Sequence, residues 1–411
     1  MNRKLLVLDS SYSFEAIKDL QLEHSVECRD LGGYFTHVWS VHPFATLVTS
    51  DAWTTRFGRP VVFPMNDGHT FIEGKVGRYA ILGRFVGVNF LISQIDIFVF
   101  LYRLIKMHEI SAIRVGSPLY VGLFGWLLSR ICKIPLIVRV GGNHDKIFES
   151  MRKPIEAKFF RFRSCEKVIE RLVFRAADFV VGANQDNLNF ALANGARVAR
   201  SAVVRYGNLI DSRHFQEPRA RHGGKVLLED IGIGDEPFLM YIGRLESVKM
   251  PDHPIQLLSI LNKTNKALKL IMVGEGTLLN NLVELCAYHG LVDRVFFCGK
   301  RDQGWLAKVL PHASVVISPH TGRALTEAGL AAAPIVAYDV DWQTEIIRSG
   351  ETGEIIPFGD VLSLARSTSR LLEERAYAEK LGHNLRNLLL DIMNPDRLNE
   401  TERSYYRKLL Q

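Results

Sequence analysis

Two short stretches concentrate the residues that could do chemistry. The first, Phe238-Leu-Met-Tyr-Ile-Gly-Arg-Leu-Glu-Ser-Val-Lys249, is an apolar run that ends at Gly243 and is followed by two cations, Arg244 and Lys249. Arginine offers a forked pair of donors and lysine a point charge, so the two together at one strand end can neutralise phosphate oxygens. The second, Ser318-Pro-His-Thr-Gly-Arg-Ala-Leu-Thr-Glu327, places His320, Thr321 and Gly322 in a loop and Arg323, Ala324 and Leu325 at the opening of a helix. Gly322 lets a ligand come close to the backbone, and the N–H groups of a helix mouth attract an anion. Glu327, one turn on, reads either as a carboxylate matched to the helix dipole or as an acceptor for sugar hydroxyls. The combined chemistry suits a diphosphate.

The elements that must hold these residues are legible around them. Val315-Val-Ile317 reads as a buried strand, Leu325 to Ala333 as a helix and Pro334-Ile-Val-Ala-Tyr338 as the next strand. Such a βαβ unit binds ligands at the carboxyl ends of its strands. In the first half, Leu5-Leu-Val-Leu8, Ala112-Ile-Arg-Val115, Pro135-Leu-Ile-Val-Arg-Val140 and Asp178-Phe-Val-Val-Gly-Ala183 read as strands, with an apolar helix over 119–132. Residues 44–80 look irregular, with room for one or two strands. Gly32-Gly33 reads as a turn, and Arg219 to Lys225, with its own glycine pair, as an interdomain linker.

Length and charge narrow the class. A chain of 411 residues exceeds one ordinary core and fits two domains. A net charge of +7 favours acidic ligands or anionic surfaces over a specific nucleic acid, and none is expected as a partner. Five scattered cysteines show no metal-ligand spacing and suit a reducing cytoplasm. Ile81 to Ile105 is apolar but interrupted by Arg84, Asn89, Ser93, Gln94, Asp96 and Arg103, which predicts a buried helix and no transmembrane span. Lys153 to Arg175 carries seven basic residues interleaved with Phe159, Phe160 and Phe162. It reads as a peripheral contact with an anionic bilayer or as an amphipathic helix with its aromatics in the core.

Five pieces in order carry a family resemblance: Gly243-Arg-Leu245 with Lys249, Leu270-Ile-Met-Val-Gly-Glu-Gly276, Val295-Phe-Phe-Cys-Gly299, the Ser318 to Tyr338 unit, and Glu345-Ile-Ile-Arg-Ser-Gly-Glu-Thr-Gly353 with Phe358-Gly-Asp360. With them the second half resembles the retaining glycosyltransferases of family 4. That resemblance implies an α/β GT-B fold, two Rossmann-like doubly wound domains facing across a cleft. It implies an acceptor-side domain over 1–220, a nucleotide-sugar domain over 221–385, and a helical segment over 386–411 that packs back on the first domain. It also implies transfer of a hexosyl group, with retention and without metal or cofactor, from a nucleotide diphosphate sugar to a saccharide or lipid-linked acceptor. The setting would be surface polysaccharide or glycolipid synthesis, in the cytoplasm or peripherally at the inner face of the membrane.

Residue by residue, the resemblance puts Arg244 and Lys249 on the leaving diphosphate. It puts Gly243, His320, Thr321, Gly322, Arg323, Ala324, Leu325 and Glu327 around the donor, with Glu327 on the ribose hydroxyls. The family histidine that contacts the donor sugar falls on Gly141, so His144 is a displaced candidate, and Asn143 or Asp145 could substitute. The first glutamate of the family pair, eight positions before Glu327, is Pro319 here. Either His320 or Thr321 handles the donor sugar, or transfer is weakened. Two alternatives stay open, a GT-B nucleotide-sugar epimerase and a non-catalytic partner that binds a nucleotide sugar. Asp339-Val-Asp341 reads as loop chemistry and not as a metal-binding pair.

Overall fold

The computed structural model describes residues 3–45, 56–262, 267–320 and 322–411. The chain forms two compact units, Met1–Leu209 with Pro395–Gln411, and Ile210–Asn394. Each is built around one sheet.

The first unit has eight strands: β1 (Lys4–Leu8), β2 (His37–His42), β3 (Val61–Asn66), β4 (His69–Glu73), β5 (Ala112–Val115), β6 (Leu136–Val140), β7 (Phe179–Gly182) and β8 (Ser201–Val203). Their order is β3-β4-β2-β1-β5-β6-β7-β8, and only the edge strand β3 runs antiparallel. The stretch that looked irregular thus holds a hairpin, its turn closed by the Asn66 side chain on the Gly68 amide at 3.0 Å. Successive side chains along β1 point to opposite faces. Leu6 and Leu8 pack with Ile97, Leu101, Phe124, Leu128 and Phe174 from the helices Val86–His108, Tyr120–Cys132 and Arg163–Ala176. Leu5 and Val7 face the other way, onto Phe35 and Tyr406.

Tyr406 belongs to the helix Pro395–Leu409, which returns to the first unit. Its ring meets Phe35 edge-on at 4.9 Å, and Glu402, on the same helix, bridges Arg114 of β5 and Arg139 of β6 at 3.1 Å each. Residues 386–394, expected to share that return, stay in the second unit. They complete the helix Arg375–Ile392, whose buried Arg386 donates to the carbonyls of Leu330, Phe215 and Gln216. The other boundary also moves, because the second unit begins at Ile210. Arg219 to Lys225 is not the interdomain linker but lies within the second unit, where Arg221 is buried and donates to the carbonyls of His214, Gln216, Ala307 and Leu330.

The helix Val86–His108 differs from the buried helix expected there. Three of its interruptions, Asn89, Ser93 and Gln94, face inward, whereas Arg103 is exposed: Asn89 is bonded to the backbone of Arg78 and Tyr79, and Gln94 to Pro43 and the Tyr120 hydroxyl. By length and composition it could cross a membrane, yet this inner face is packed on the sheet layer. Over 153–175 only Arg163–Ala176 is helical, and turns precede it. Phe159 is held in the core, stacked on Tyr120 at 4.5 Å, whereas Phe162 is exposed.

The second unit has six parallel strands: β9 (Phe238–Ile242), β10 (Lys269–Val273), β11 (Val295–Phe297), β12 (Val315–Ser318), β13 (Ile335–Tyr338) and β14 (Glu354–Ile356), in the order β11-β10-β9-β12-β13-β14. The chain winds outward from β9 to β11 on one side and from β12 to β14 on the other. The strand order therefore switches between β9 and β12, the place where open α/β sheets bind ligands.

Candidate functional site

The two stretches singled out in the sequence leave the sheet at that switch point. Under the loop that follows β9, buried Tyr241 sets its hydroxyl 3.1 Å from the Arg244 carbonyl and 3.3 Å from that of Lys249. The loop after β10 lies against it so closely that a Cβ on Gly274 (φ +140°) would sit 1.9 Å from the Gly243 carbonyl oxygen, and one on Gly276 2.3 Å from that of Leu245. Only glycine fits this approach. The Leu245 amide donates to Glu275 O at 2.9 Å, and the Glu246 carboxylate accepts from the Thr277 amide and hydroxyl at 2.9 and 2.8 Å. The cation-bearing loop is thereby fixed from below and from one side.

On it, Arg244 is exposed and Lys249, at the end of a short 3₁₀ turn, is half-buried. Burial, and then the charge of Arg244, push the Lys249 ammonium down to about 8, with Asp341 partly opposing them. Among the described residues neither side chain makes a hydrogen bond or ion pair. Two neighbouring cations that no ion pair ties down repel each other, and an anion bound between them relieves that repulsion.

His320 ties the β12 loop to the β9 loop. Its Nδ1 lies 3.0 Å from the Val248 carbonyl, next to Lys249, and its Nε2 lies 3.4 Å from Asp341 Oδ2. Donation to a carbonyl requires the proton on Nδ1, so in the neutral ring Nε2 is an acceptor. Asp341 itself sits at φ +56°, and its Oδ1 is buried with no partner among the described residues. Asp341 faces His320 while Asp339 is exposed, and among the described residues no three His, Cys, Asp or Glu side chains converge as metal ligands.

Gln343 was not a sequence candidate. Fully buried, it accepts from Ser318 Oγ at 2.6 Å and donates to the carbonyls of Ser318, Pro319 and Tyr338. It clamps the ends of β12 and β13 where Pro319 offers a carbonyl and no carboxylate. Its signal in the sequence was a lone amide just past a strand, too common to single out.

Gly322 caps the helix Arg323–Leu330, and the space a Cβ would occupy there is open. Arg323 and Ala324 begin the helix, but the Leu325 amide is used within the turn, on Gly322 O at 3.1 Å, and its side chain is buried. Leu325 therefore drops out of the expected donor contacts. Glu327 is 5% exposed, and its carboxylate has no partner among the described residues. A little-exposed carboxylate that no protein donor occupies is placed to accept from hydroxyl groups. Thr321 lies outside the described residues.

His144 lies in the first unit, at the start of the helix His144–Met151 capped by Asn143. Glu170 holds its Nδ1 at 2.8 Å, Phe190 packs 5.2 Å from its ring, and Nε2 has no partner among the described residues. The same Glu170 binds Arg163 at 2.7 and 2.9 Å, and Asp145 binds both Arg163 and Lys167. Two of the seven cations of 153–175 are thus committed inside the unit.

Residues 227–388 match the family described as glycosyl transferases group 1. Among similar proteins, the alpha-D-kanosaminyltransferase of Streptomyces kanamyceticus is 24% identical over 64% of this chain and 67% of its own length. The D-inositol 3-phosphate glycosyltransferase of Nocardia farcinica is 27% identical over 46% of each chain, so the match spans less than half of that relative. Among solved structures, Anabaena HepE in complex with UDP and glucose aligns with a TM-score of 0.72 at 16% identity, covering 99% of this chain and 100% of that one. The sucrose-phosphate synthase of Thermosynechococcus elongatus aligns with a TM-score of 0.76 at 18% identity over 99% of both. The likeness to the two structures is one of fold.

Proposed function

We propose that the chain, which has the GT-B fold and matches the glycosyl transferases group 1 family over residues 227–388, transfers a hexosyl group, with retention, from a nucleotide diphosphate sugar to a saccharide or lipid-linked acceptor. The observation that carries the reading is the tie of His320 to Val248, beside Lys249 on the loop that also bears Arg244, at the switch point of the second sheet. Arg244 and Lys249 balance the charge that grows on the departing diphosphate, the step most sensitive to fixed electrostatics. The opening of the helix Arg323–Leu330 adds backbone dipoles to the same phosphates. Glu327 accepts from the ribose hydroxyls. No metal is required in this scheme.

Pro319 supports a second reading, a nucleotide-sugar-binding subunit without transfer, because it leaves the donor sugar one carboxylate short. One experiment separates the two. The purified protein is incubated with UDP-, GDP- and dTDP-sugars and an acceptor panel, with and without EDTA, and product and anomeric configuration are followed by NMR. Release of nucleoside diphosphate with an α-linked product from an α-linked donor supports transfer with retention. Binding without turnover supports the second reading, and no binding of any nucleotide defeats both.

A further inference from the structure

The helix Val86–His108 is apolar on both sides: it buries Ile97, Leu101 and Ile105 together with Asn89, Ser93 and Gln94, while Val88, Leu91, Ile95, Val99 and Tyr102 form an exposed stripe at helical spacing. Leu91 is 60% and Ile95 55% exposed. The stripe does not end at this helix. Tyr120–Cys132 packs beside it and Arg163–Ala176 beside that, all on one face of the first sheet, and they add exposed Leu127 and Ile131, then Val168 and Leu172. A contiguous apolar surface of this kind marks a docking site.

The charges on the same three helices name the occupant. Their exposed charged side chains are Arg103, Lys106, Arg130, Arg171 and Arg175, all basic. The acidic residues are engaged: Glu166 and Glu170 are fully buried, and Asp96, its side chain 36% exposed, is paired with Arg78 at 3.0 Å. A second copy of the chain on a twofold axis would set this basic face against itself. A membrane-spanning path would need the inward polar residues of Val86–His108 to leave their partners. We infer that the outer face of these three helices lies on an anionic lipid bilayer, with the apolar stripe at the acyl boundary and the arginines and lysines at the headgroups. This contact takes in the helical part of the 153–175 stretch, Arg163–Ala176, and adds the two helices beside it, and it stands whether or not the chain transfers a sugar.

The test uses the full chain in co-sedimentation with vesicles of phosphatidylcholine alone and of phosphatidylcholine with phosphatidylglycerol. Binding is expected only to the second, weakening in about 0.5 M salt. L91E/I95E and, separately, R103E/K106E should each lower partitioning by about tenfold or more while the thermal midpoint holds. A V283E/V292E control, at exposed apolar positions of the second unit, should leave it unchanged. The inference falls if the native chain ignores anionic vesicles, if both helix-face variants bind as well as it does, or if sedimentation equilibrium shows a dimer that L91E/I95E dissociates.

Discussion

Asp9 in the first unit and Arg244 in the second stand in equivalent places, each just beyond the carboxyl end of a central parallel strand, yet their surroundings differ in kind. Asp9 is met by Arg29 at 2.7 Å, and Arg29 is in turn held by Ser40. Nearby acids and bases of that unit close on one another in the same way, in Asp145 with Arg163 and Lys167, and in Glu402 with Arg114 and Arg139. Arg244 makes no ion pair among the described residues and has the Lys249 cation close by, and among the described residues Glu327 has no donor. Charges that complete each other hold a fold together, whereas charges left alike or alone are held ready for something that is not protein.

The sharpest way to break this contrast is to spoil a completed set. E402Q leaves Arg114 and Arg139 buried against a neutral amide, and should cost about 3–5 kcal/mol of stability, read by urea denaturation followed through tryptophan fluorescence. Equal stability of variant and parent would undo the claim that this network is structural. Next in size, R244A and K249A should each lower turnover about 100-fold, with melting temperature unchanged or raised, since each removes a like-charge repulsion. H320A should cost about tenfold in kcat/KM, because it unties the β12 loop from Val248 and lets the lysine drift, while H320N retains part of that tie.

The smallest effect is a pH dependence with a definite sign. The Lys249 ammonium titrates near 8 in the free chain, not near the usual 10.5, and the protonated form is the one that binds a diphosphate. Donor affinity should therefore hold below pH 8 and fall above it, by about twofold at pH 8 and about tenfold at pH 9. Calorimetric titration with a nucleoside diphosphate would read this directly. K249R should flatten the profile, because a guanidinium stays charged throughout.

The second unit was legible in the sequence because its signals are local. A strand, a glycine and a cation within a dozen residues already specify the β9 loop, and Gly274 and Gly276 announce the close approach of its neighbour. What escaped was set by distance along the chain. Arg114 and Glu402 look like ordinary surface charges until 288 residues of separation close to 3.1 Å. The boundary at 209/210 was misplaced for the same reason: Arg221 is anchored by Ala307 and Leu330, which no window around it contains. The interruptions of 81–105 were noticed correctly as residues but not as a face. Periodicity does not say which side meets the sheet, and in Val86–His108 that side takes Asn89, Ser93 and Gln94 together with Ile97, Leu101 and Ile105.

The return of Pro395–Leu409 also sets an order of assembly. The sheet begun by Lys4–Leu8 waits for Tyr406 and Glu402, and these are synthesised only after every residue of the other unit. During translation the portion made later can thus reach its native state sooner, while the earlier portion keeps Arg114 and Arg139 without their counter-charge until the last helix docks.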